Sequence, residues 1–321
     1  MKRSARIALI LAAVLTVAGL VISFFAMVGL GFDFRKLDTD ELSTKTHTVT
    51  EDFAQIRAEL NVSDLRLAIS DDGSCRVECR ERSNVPHSVA VENGALVIRE
   101  MNERKWYHYV GVHMSEATVT VYLPQTAYDS LTVEGDTCDV SVASELSFGE
   151  ATVKVDTGDV TFGAKVERTL WVETNTGDVT VADITVGGDV ILTTDTGDIT
   201  LRSLTAAAVS YVTDTGEVRL DNVHCTSLSA KSDTGDNTLK NVTVTGHLQM
   251  ESDTGDIELQ RCDAATLHIT TNTGDVEGAL LSDKLFVTDT STGDVEVPRG
   301  TTGGLCEIKT STGDIEFRIA K

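Results

Sequence analysis

A three-residue phrase, Thr-Gly-Asp, recurs through the second half of the sequence and constrains its fold more than any other feature. Successive copies lie 19 or 20 positions apart, and one copy carries Glu217 in place of the aspartate. A period of this length is typical of a β-solenoid, in which each repeat forms one coil that stacks on its neighbours. The phrase supplies glycines at Gly158, Gly177, Gly197, Gly216, Gly235, Gly255, Gly274, Gly293 and Gly313, which we expect at structural turns.

Residues around the phrase alternate in polarity as strand residues do. In one coil, Leu170, Val172 and Thr174 point inward with period two. Val179 joins them after the corner, and the equivalent column is apolar and branched in nearly every copy. One coil cannot bury such a face alone, so the coils must stack. The alignment predicts that coils follow one another from Leu131 to the C-terminus.

The sequence therefore predicts an all-β fold, a single-stranded β-solenoid (β-helix) of about 19–20 residues per coil, with right-handed coiling as the expected sense. Two residues break the pattern. Cys138 replaces a corner glycine, which predicts a relaxed corner because side chains disfavour positive φ. Asn237 interrupts the apolar column. Specific function is expected where the repetition fails, including the bare C-terminal edge.

An uncharged segment precedes the β-rich part of the chain. Residues 7–32 form 26 consecutive positions without a charge, whereas a bilayer core needs about 20. No small-residue cleavage site follows, so we expect an uncleaved signal anchor. Lys2, Arg3 and Arg6 in front of it predict a cytoplasmic N-terminus and an extracytoplasmic C-terminal domain, in a single-pass protein of the cell membrane.

These features divide the chain into five parts. We assign residues 1–6 to a cytoplasmic tail, 7–32 to a transmembrane signal anchor, 33–45 to a tether, 46–130 to an N-terminal β region that caps the solenoid, and 131–321 to the Thr-Gly-Asp repeats.

The composition limits the classes of partner that this protein is expected to bind. The formal net charge of −23 repels nucleic acid and anionic lipid headgroups, so no nucleic-acid partner is expected. The same surface could attract cations or basic partners. The six cysteines include no CxxC pair, so structural zinc is not expected, and we interpret most of them as small buried hydrophobic residues.

The acidic column at the corners permits two readings. Its carboxylates can accept hydrogen bonds from corner amides. Alternatively, stacked carboxylates could form a calcium ladder, with Asp159, Asp178 and Asp198 as candidate ligands. The repeat lacks the Gly-Gly-x-Gly-x-Asp arrangement of calcium-binding β-rolls, which favours the structural reading. No cofactor is expected.

A search for catalytic motifs finds no HExxH, GxSxG, Walker A or dinucleotide-binding pattern. The coils are nearly uniform and lack long insertions that could build a cleft, so we expect no enzyme. The localised oddity is Arg104, Trp106, Tyr107 and Tyr109. These residues could grip a glycan or peptide, or they could cap the open edge of the first coil.

Three features together resemble a known family. They are the juxtamembrane stretch 31–37, the Lys105-Trp106-Tyr107 segment, and the Ser/Asp-Thr-Gly-Asp-Val repeats behind a signal anchor. They are similar to the bacterial β-strand-repeat family of putative adhesins, a domain of unknown function related to LiaG. The resemblance implies a β-solenoid outside a bacterial membrane, in a family some of whose members are linked with envelope-stress systems.

The expected function is accordingly that of a non-catalytic, membrane-anchored extracytoplasmic β-solenoid, an adhesin or cell-envelope interaction protein. Its expected partners are the membrane, through residues 7–32, and a protein or glycan of the cell envelope. Two alternatives stay open: a polysaccharide-acting β-helix enzyme, and an accessory protein of an envelope-stress sensor.

Overall fold

The computed structural model describes residues 3–29, 31–32, 42–101 and 116–320. Its one long helix, α1, spans Arg3–Gly29. The window Ile10–Gly29 has a mean hydropathy of 2.5, and 0% of it is buried inside the described chain. By length and composition alone, this helix can cross a membrane.

The remaining described residues form one extended sheet of parallel and antiparallel strands. Strands that precede the repeats are β1 (Leu42–Val49), β2 (Gln55–Leu60), β3 (Ser63–Ile69), β4 (Cys75–Arg82), β5 (His87–Glu92), β6 (Ala95–Glu100) and β7 (Ala117–Leu123). The first repeats contain β8 (Ala127–Thr137), β9 (Val140–Val142), β10 (Ser147–Thr157), β11 (Val160–Phe162), β12 (Lys165–Val166), β13 (Leu170–Thr176), β14 (Val179–Thr185), β15 (Asp189–Thr196), β16 (Ile199–Thr205), β17 (Ala208–Thr215) and β18 (Val218–Cys225). The later repeats contain β19 (Ser227–Thr234), β20 (Asn237–Lys240), β21 (Thr243–Thr254), β22 (Ile257–Thr273), β23 (Val276–Leu280), β24 (Lys284–Thr292), β25 (Val295–Glu296), β26 (Gly304–Thr312) and β27 (Ile315–Ile319).

Each repeat contributes one strand before its corner glycine and one after it. β13 and β14 are such a pair, joined at Gly177. Strands before the corner stack in parallel, so that Leu170 of β13 pairs with Ala151 of β10 on one side and Val190 of β15 on the other. Strands after the corner stack in the same way. This in-register stacking confirms the predicted β-solenoid.

The core lies between the two stacks of strands. The inward residue after the corner is buried in the interior coils, as at Val179 and Ile199. The threonine column before the corner also faces inward, and Thr174 Oγ1 donates to the carbonyl oxygen of Gly158 at 3.2 Å. Thr194 repeats the bond to Gly177 at 3.3 Å. The predicted hydroxyl ladder therefore ties some coils to the one before, whereas the buried hydroxyls of Thr213, Ser232, Ser252 and Thr271 have no hydrogen-bond partner among the described residues.

Two kinds of corner turn the chain. The repeat glycines have φ between 134° and 159°, and a Cβ on Gly197 would lie 2.0 Å from the carbonyl oxygen of Gly177. Both conformation and contact therefore require glycine there. Six residues later the chain turns again, at a second corner not predicted from the sequence, through left-handed residues that are not glycine. They are Asp183, Ser203, Asn222, Asn241 and Arg261, with φ between 50° and 59°.

The N-terminal end of the solenoid doubles back on itself. β2 pairs with β8 on one side and with β6 on the other, so the coil of β2 and β3 lies inside the coil of β6 and β7. β4 then pairs antiparallel with β7 and β1, and β5 pairs antiparallel with β6. These antiparallel strands close this end of the stack. β1 begins at Leu42, inside the segment assigned to the tether.

At the C-terminal end, the predicted chain order of the coils is wrong for the last two. β26 pairs directly with β22, placing Cys306 beside Leu267. β24 lies on the far side of β26, where Phe286 pairs with Cys306. The last coil in sequence is therefore inserted, and the coil of β24 and β25 forms the end of the stack.

The relative polarity of the two coils explains this interchange. Ile308 is fully buried in the inserted coil, whereas Thr288 occupies the same register in the outer one. Burial on both sides favours the more apolar coil, since buried apolar area contributes about 25 cal/mol per Å². Gly303 and Gly304 admit the returning chain, because a Cβ on Gly304 would lie 1.7 Å from the carbonyl oxygen of Ala265.

Candidate functional site: a polar groove above a buried charged cluster

A groove of about 510 Å³ crosses the stacked strands near the N-terminal end of the solenoid. It spans β6, β2, β8, β10 and β13, and each strand contributes one outward residue to the same row. In spatial order the row reads Arg99, Glu59, Glu134, Lys154 and Glu173.

Ion pairs hold the two basic side chains of this row. Arg99 Nε lies 3.2 Å from Glu59 Oε2, and Arg99 Nη1 lies 2.9 Å from Glu92 Oε1. Hydrogen bonds from Arg99 lower the pKa of Glu92. Lys154 Nζ lies 2.9 Å from Glu173 Oε2. The wall also carries Asp136, Asp156 and Asn175, so acceptors outnumber cations and suit a ligand rich in hydroxyl or N–H donors.

An exposed tryptophan adjoins the groove. Trp171 lies two residues before Glu173 on β13, on the same outward face, with 39% of its surface exposed. Lys154 Nζ sits 4.3 Å from the centre of the indole ring. Trp171 was not among the sequence-predicted ligand residues, although a large aromatic residue at an outward strand position was an available signal.

The groove coincides with the one corner where cysteine replaces glycine. Cys138 is not among the residues with positive φ, as the sequence predicts for a relaxed corner. Its side chain is buried, and a Cβ on Gly135 would lie 2.3 Å from Cys138 Sγ. Gly135 has no side chain at its position in the threonine column, and the sulfur of Cys138 fills that space. Burial raises the pKa of Cys138 to about 12, so the thiol packs as an apolar group.

All six cysteines are buried and free, which confirms the expectation that they act as small hydrophobic residues.

A buried polar cluster lies behind the groove, between β3, β4 and β5. His87 Nδ1 lies 2.9 Å from Glu81 Oε2, and the backbone amide of His87 donates to the same oxygen at 2.6 Å. His87 Nε2 lies 3.1 Å from Ser63 Oγ. Glu100 Oε2 accepts the backbone amides of Asn61 and Val62, each at 3.0 Å.

The Ser63, His87 and Glu81 contacts match the order of a Ser–His–carboxylate triad. However, Ser63 is 0% exposed, and Glu100 already occupies the neighbouring amides. Ser63 stands where later coils carry the corner glycine. The buried cluster therefore occupies the corner position of a coil that precedes the first Thr-Gly-Asp repeat.

The same cluster contains the one metal-like grouping in the described ranges. Ligand atoms of Cys79, Glu81 and His87 lie within 4.8 Å of one another. The Lys45 ammonium group, however, pairs with Glu81. Burial tends to raise the pKa of Glu81, but hydrogen bonds from Lys45 and His87 outweigh it and leave that pKa lowered. Burial raises the pKa of Cys79 to about 12. The ammonium group of Lys45 balances the negative charge of Glu81, and the Cys79 thiol keeps its proton.

The acidic corner column links successive coils. Asp178 N–H donates to Asp159 Oδ1 at 2.8 Å, and Asp198 N–H donates to Asp178 Oδ1 at 2.8 Å. Glu217 N–H donates to Asp198 Oδ1 in the same way. The carboxylates of Asp159, Asp178 and Asp198 thus each cap an amide of the next coil, which agrees with the structural reading. Calcium coordination by Asp159, Asp178 and Asp198 stays a prediction.

The sequence-predicted ligand residues Arg104, Trp106, Tyr107 and Tyr109 lie outside the described residues. The corner glycines lie at the corners, as predicted, and bring no functional group to the groove.

The repeat signature matches a defined family. The model for Toastrack DUF4097 matches residues 54–186, 164–277 and 227–321, which together span the whole solenoid. This chain belongs to the Toastrack family. The overlapping matches reflect the Toastrack repeat, and they confirm the family resemblance drawn from the sequence.

Several solved structures align with most of this chain. A "putative adhesin" from Parabacteroides distasonis ATCC 8503 is 15% identical, covers 87% of this chain and 98% of its own, and aligns with a TM-score of 0.50. A "putative adhesin" from Bacteroides fragilis NCTC 9343 is 15% identical, with coverage of 87% and 97% and a TM-score of 0.44. A "putative lipid binding protein" from Parabacteroides distasonis ATCC 8503 is 14% identical, with coverage of 86% and 97% and a TM-score of 0.43. No curated protein matches the chain significantly.

Proposed function

We propose that this protein is a non-catalytic, membrane-anchored β-solenoid that binds a glycan of the cell envelope through the polar groove. The observation that carries the proposal is the exposed Trp171 beside the groove's carboxylates and Lys154. Sugar rings present apolar C–H faces that pack on an indole, and their hydroxyls bond to carboxylate and amide groups. Rigid strands hold every one of these side chains.

Burial of the Ser63–His87–Glu81 cluster supports a binding role over catalysis, since substrate cannot reach Ser63 Oγ. Structural neighbours bearing the name "putative adhesin" are consistent with surface attachment. The apolar helix supports single-pass anchoring, with the solenoid outside the membrane.

Binding of the detergent-solubilised full chain to purified peptidoglycan tests the groove. Trp171→Ala should weaken binding about twofold to tenfold, because aromatic stacking contributes about 0.5–1.5 kcal/mol. Leu305→Ala, on an exposed apolar residue near the opposite end, is the matched control and should leave binding unchanged. Equal binding by the parent and the Trp171 variant would contradict the groove assignment. Release of soluble sugar fragments would contradict the non-catalytic role.

Topology needs its own measurement. Protease added outside intact spheroplasts should digest the solenoid and spare an N-terminal tag. Protection of the solenoid would contradict the proposed orientation.

A further inference from the structure

We propose that β24 is a docking edge that accepts an extended segment of a partner protein, in which apolar and basic residues alternate. This inference goes beyond the glycan groove and uses the opposite end of the solenoid. Among residues 42–101 and 116–320, β24 pairs along one edge with β26 and has no strand on its other edge. The peptide groups of that edge can extend the sheet by one strand.

The end coil also exposes side chains that interior coils bury. Val295 is 44% exposed, although its register mates Ile315 and Val276 are fully buried. Phe286 is only half-buried, whereas Cys306 beside it is fully buried. The exposed large apolar residues of the described solenoid concentrate here, at Leu281, Leu285, Val287, Val295 and Leu305. An incoming strand with inward apolar residues would cover Phe286 and Val295.

Two protections of an edge strand, a proline and an outward lysine, are missing from β24. Proline is absent from it, and its one lysine, Lys284, turns inward to contact Asp263 Oδ1 at 2.6 Å. The closed N-terminal end differs, because antiparallel strands cover it. An edge of nine residues is therefore left open at one end of the stack, whereas β1 lies at the other end.

The acidic residues of the end coil favour a basic partner. The corner ladder ends at Asp294, whose amide donates to Asp314 Oδ1 at 2.7 Å. Every described bond of the ladder runs in this direction, so the Asp294 carboxylate remains as an unfilled acceptor for the next N–H group. Asp289 and Glu296 are exposed beside it. A second copy would bring the same acids and another formal charge of −23 to the contact, whereas lysine or arginine on a partner strand complements them.

The test measures fluorescence anisotropy of a labelled KVKVKVKV peptide with the full chain in detergent micelles at low salt. Two peptides of the same length control for pattern and charge: KKKKVVVV and EVEVEVEV. Asp289→Lys should weaken KVKVKVKV binding about threefold to tenfold, since one cross-strand charge pair contributes about 0.2–1 kcal/mol and the change also adds repulsion. Val295→Lys, which places a charge at the open core, should abolish it.

Asp214→Lys is the matched control, because Asp214 is an exposed acid on an interior coil. It should bind like the parent, and so should Trp171→Ala, which keeps this test separate from the groove. Circular dichroism melting confirms that each variant is folded. Four outcomes would overturn the proposal: no KVKVKVKV binding; equal binding of KKKKVVVV; equal loss in Asp214→Lys; or a dimer in analytical ultracentrifugation that Val295→Lys dissociates, which would make a second copy the occupant.

Discussion

At the residue scale, each departure from the repeat has a local partner. Asn237 sits in the apolar column and is buried, and its Oδ1 accepts a hydrogen bond from the Tyr211 hydroxyl at 3.0 Å. Its Nδ2 donates to the carbonyl oxygen of Gly235 at 3.4 Å. Two polar side chains from different coils thus satisfy each other inside the core, where an unpaired group is costly.

This pairing predicts strong coupling between the two residues. Asn237→Val should destabilise the protein by about 1–3 kcal/mol, because it leaves the Tyr211 hydroxyl unpaired in the core. Adding Tyr211→Phe should recover part of that loss. Thermal melting of the parent, both single variants and the double variant measures the coupling energy. Additive effects would contradict the pairing.

The two kinds of corner predict opposite responses to substitution. Gly197→Ala should destabilise by about 1–3 kcal/mol, because the new Cβ would meet the carbonyl of Gly177. Arg261→Gly should stabilise by up to about 1 kcal/mol, because Arg261 is an exposed residue with φ of 54°. Chemical denaturation compares both with the parent. Destabilisation by Arg261→Gly would show that its conformation is not strained.

At the element scale, the buried cluster fastens β5 to the strands around it. Glu81 on β4 reaches the backbone and ring of His87 on β5 and the ammonium group of Lys45 on β1. Three elements therefore depend on one ionised carboxylate. Sequence patterning did not place these residues together, because β4 and β5 pair with different neighbours in the sheet.

Acid should loosen this end of the molecule first. The pKa of Glu81 is lowered from 4.5, so its contribution to stability is complete above that value and is lost as pH falls through the lower folded-state pKa. Glu81→Gln should lower the melting temperature at neutral pH and flatten its dependence on pH below about 4.5. Glu167→Gln, on an exposed glutamate, is the control. An unchanged pH profile in Glu81→Gln would contradict this role.

At the scale of the whole molecule, the chain doubles back at both ends. At the N-terminal end the coil of β2 and β3 is enclosed, and at the C-terminal end the coil of β26 and β27 is enclosed. The terminal coils of the stack are therefore not the terminal repeats of the sequence. The more polar coil, that of β24 and β25, faces solvent on one side. In that position its threonine and its half-buried apolar residues destabilise the protein least.

Engineered disulfides can test this order. His268 lies beside Glu307 in the structure, so His268→Cys with Glu307→Cys should cross-link on oxidation. His268→Cys with Val287→Cys should not, although stacking in chain order would place those two residues side by side. Non-reducing electrophoresis and mass spectrometry read the result. The native cysteines are buried, and a variant without the added pair controls for them.

Much of this architecture was readable from the sequence. The period of 19–20 residues, the apolar columns and the corner glycines predict stacked coils, because a repeated strand–turn–strand unit can bury its face only against a neighbour. The relaxed corner at Cys138 was also predictable, because it depends on the conformational range of a single residue. Such local and periodic signals need no knowledge of distant contacts.

Tertiary structure alone decided which coil lies next to which. Residues Thr288 and Ile308 occupy the same register, and only their competition for a doubly covered position settles the order. The groove at Trp171, the second corners and the Glu81–His87 cluster likewise arise from side chains brought together by stacking. The form of each coil was predictable from the repeat pattern, because it is set by local geometry. The order of the coils at both ends depends on burial, which is a property of the whole stack.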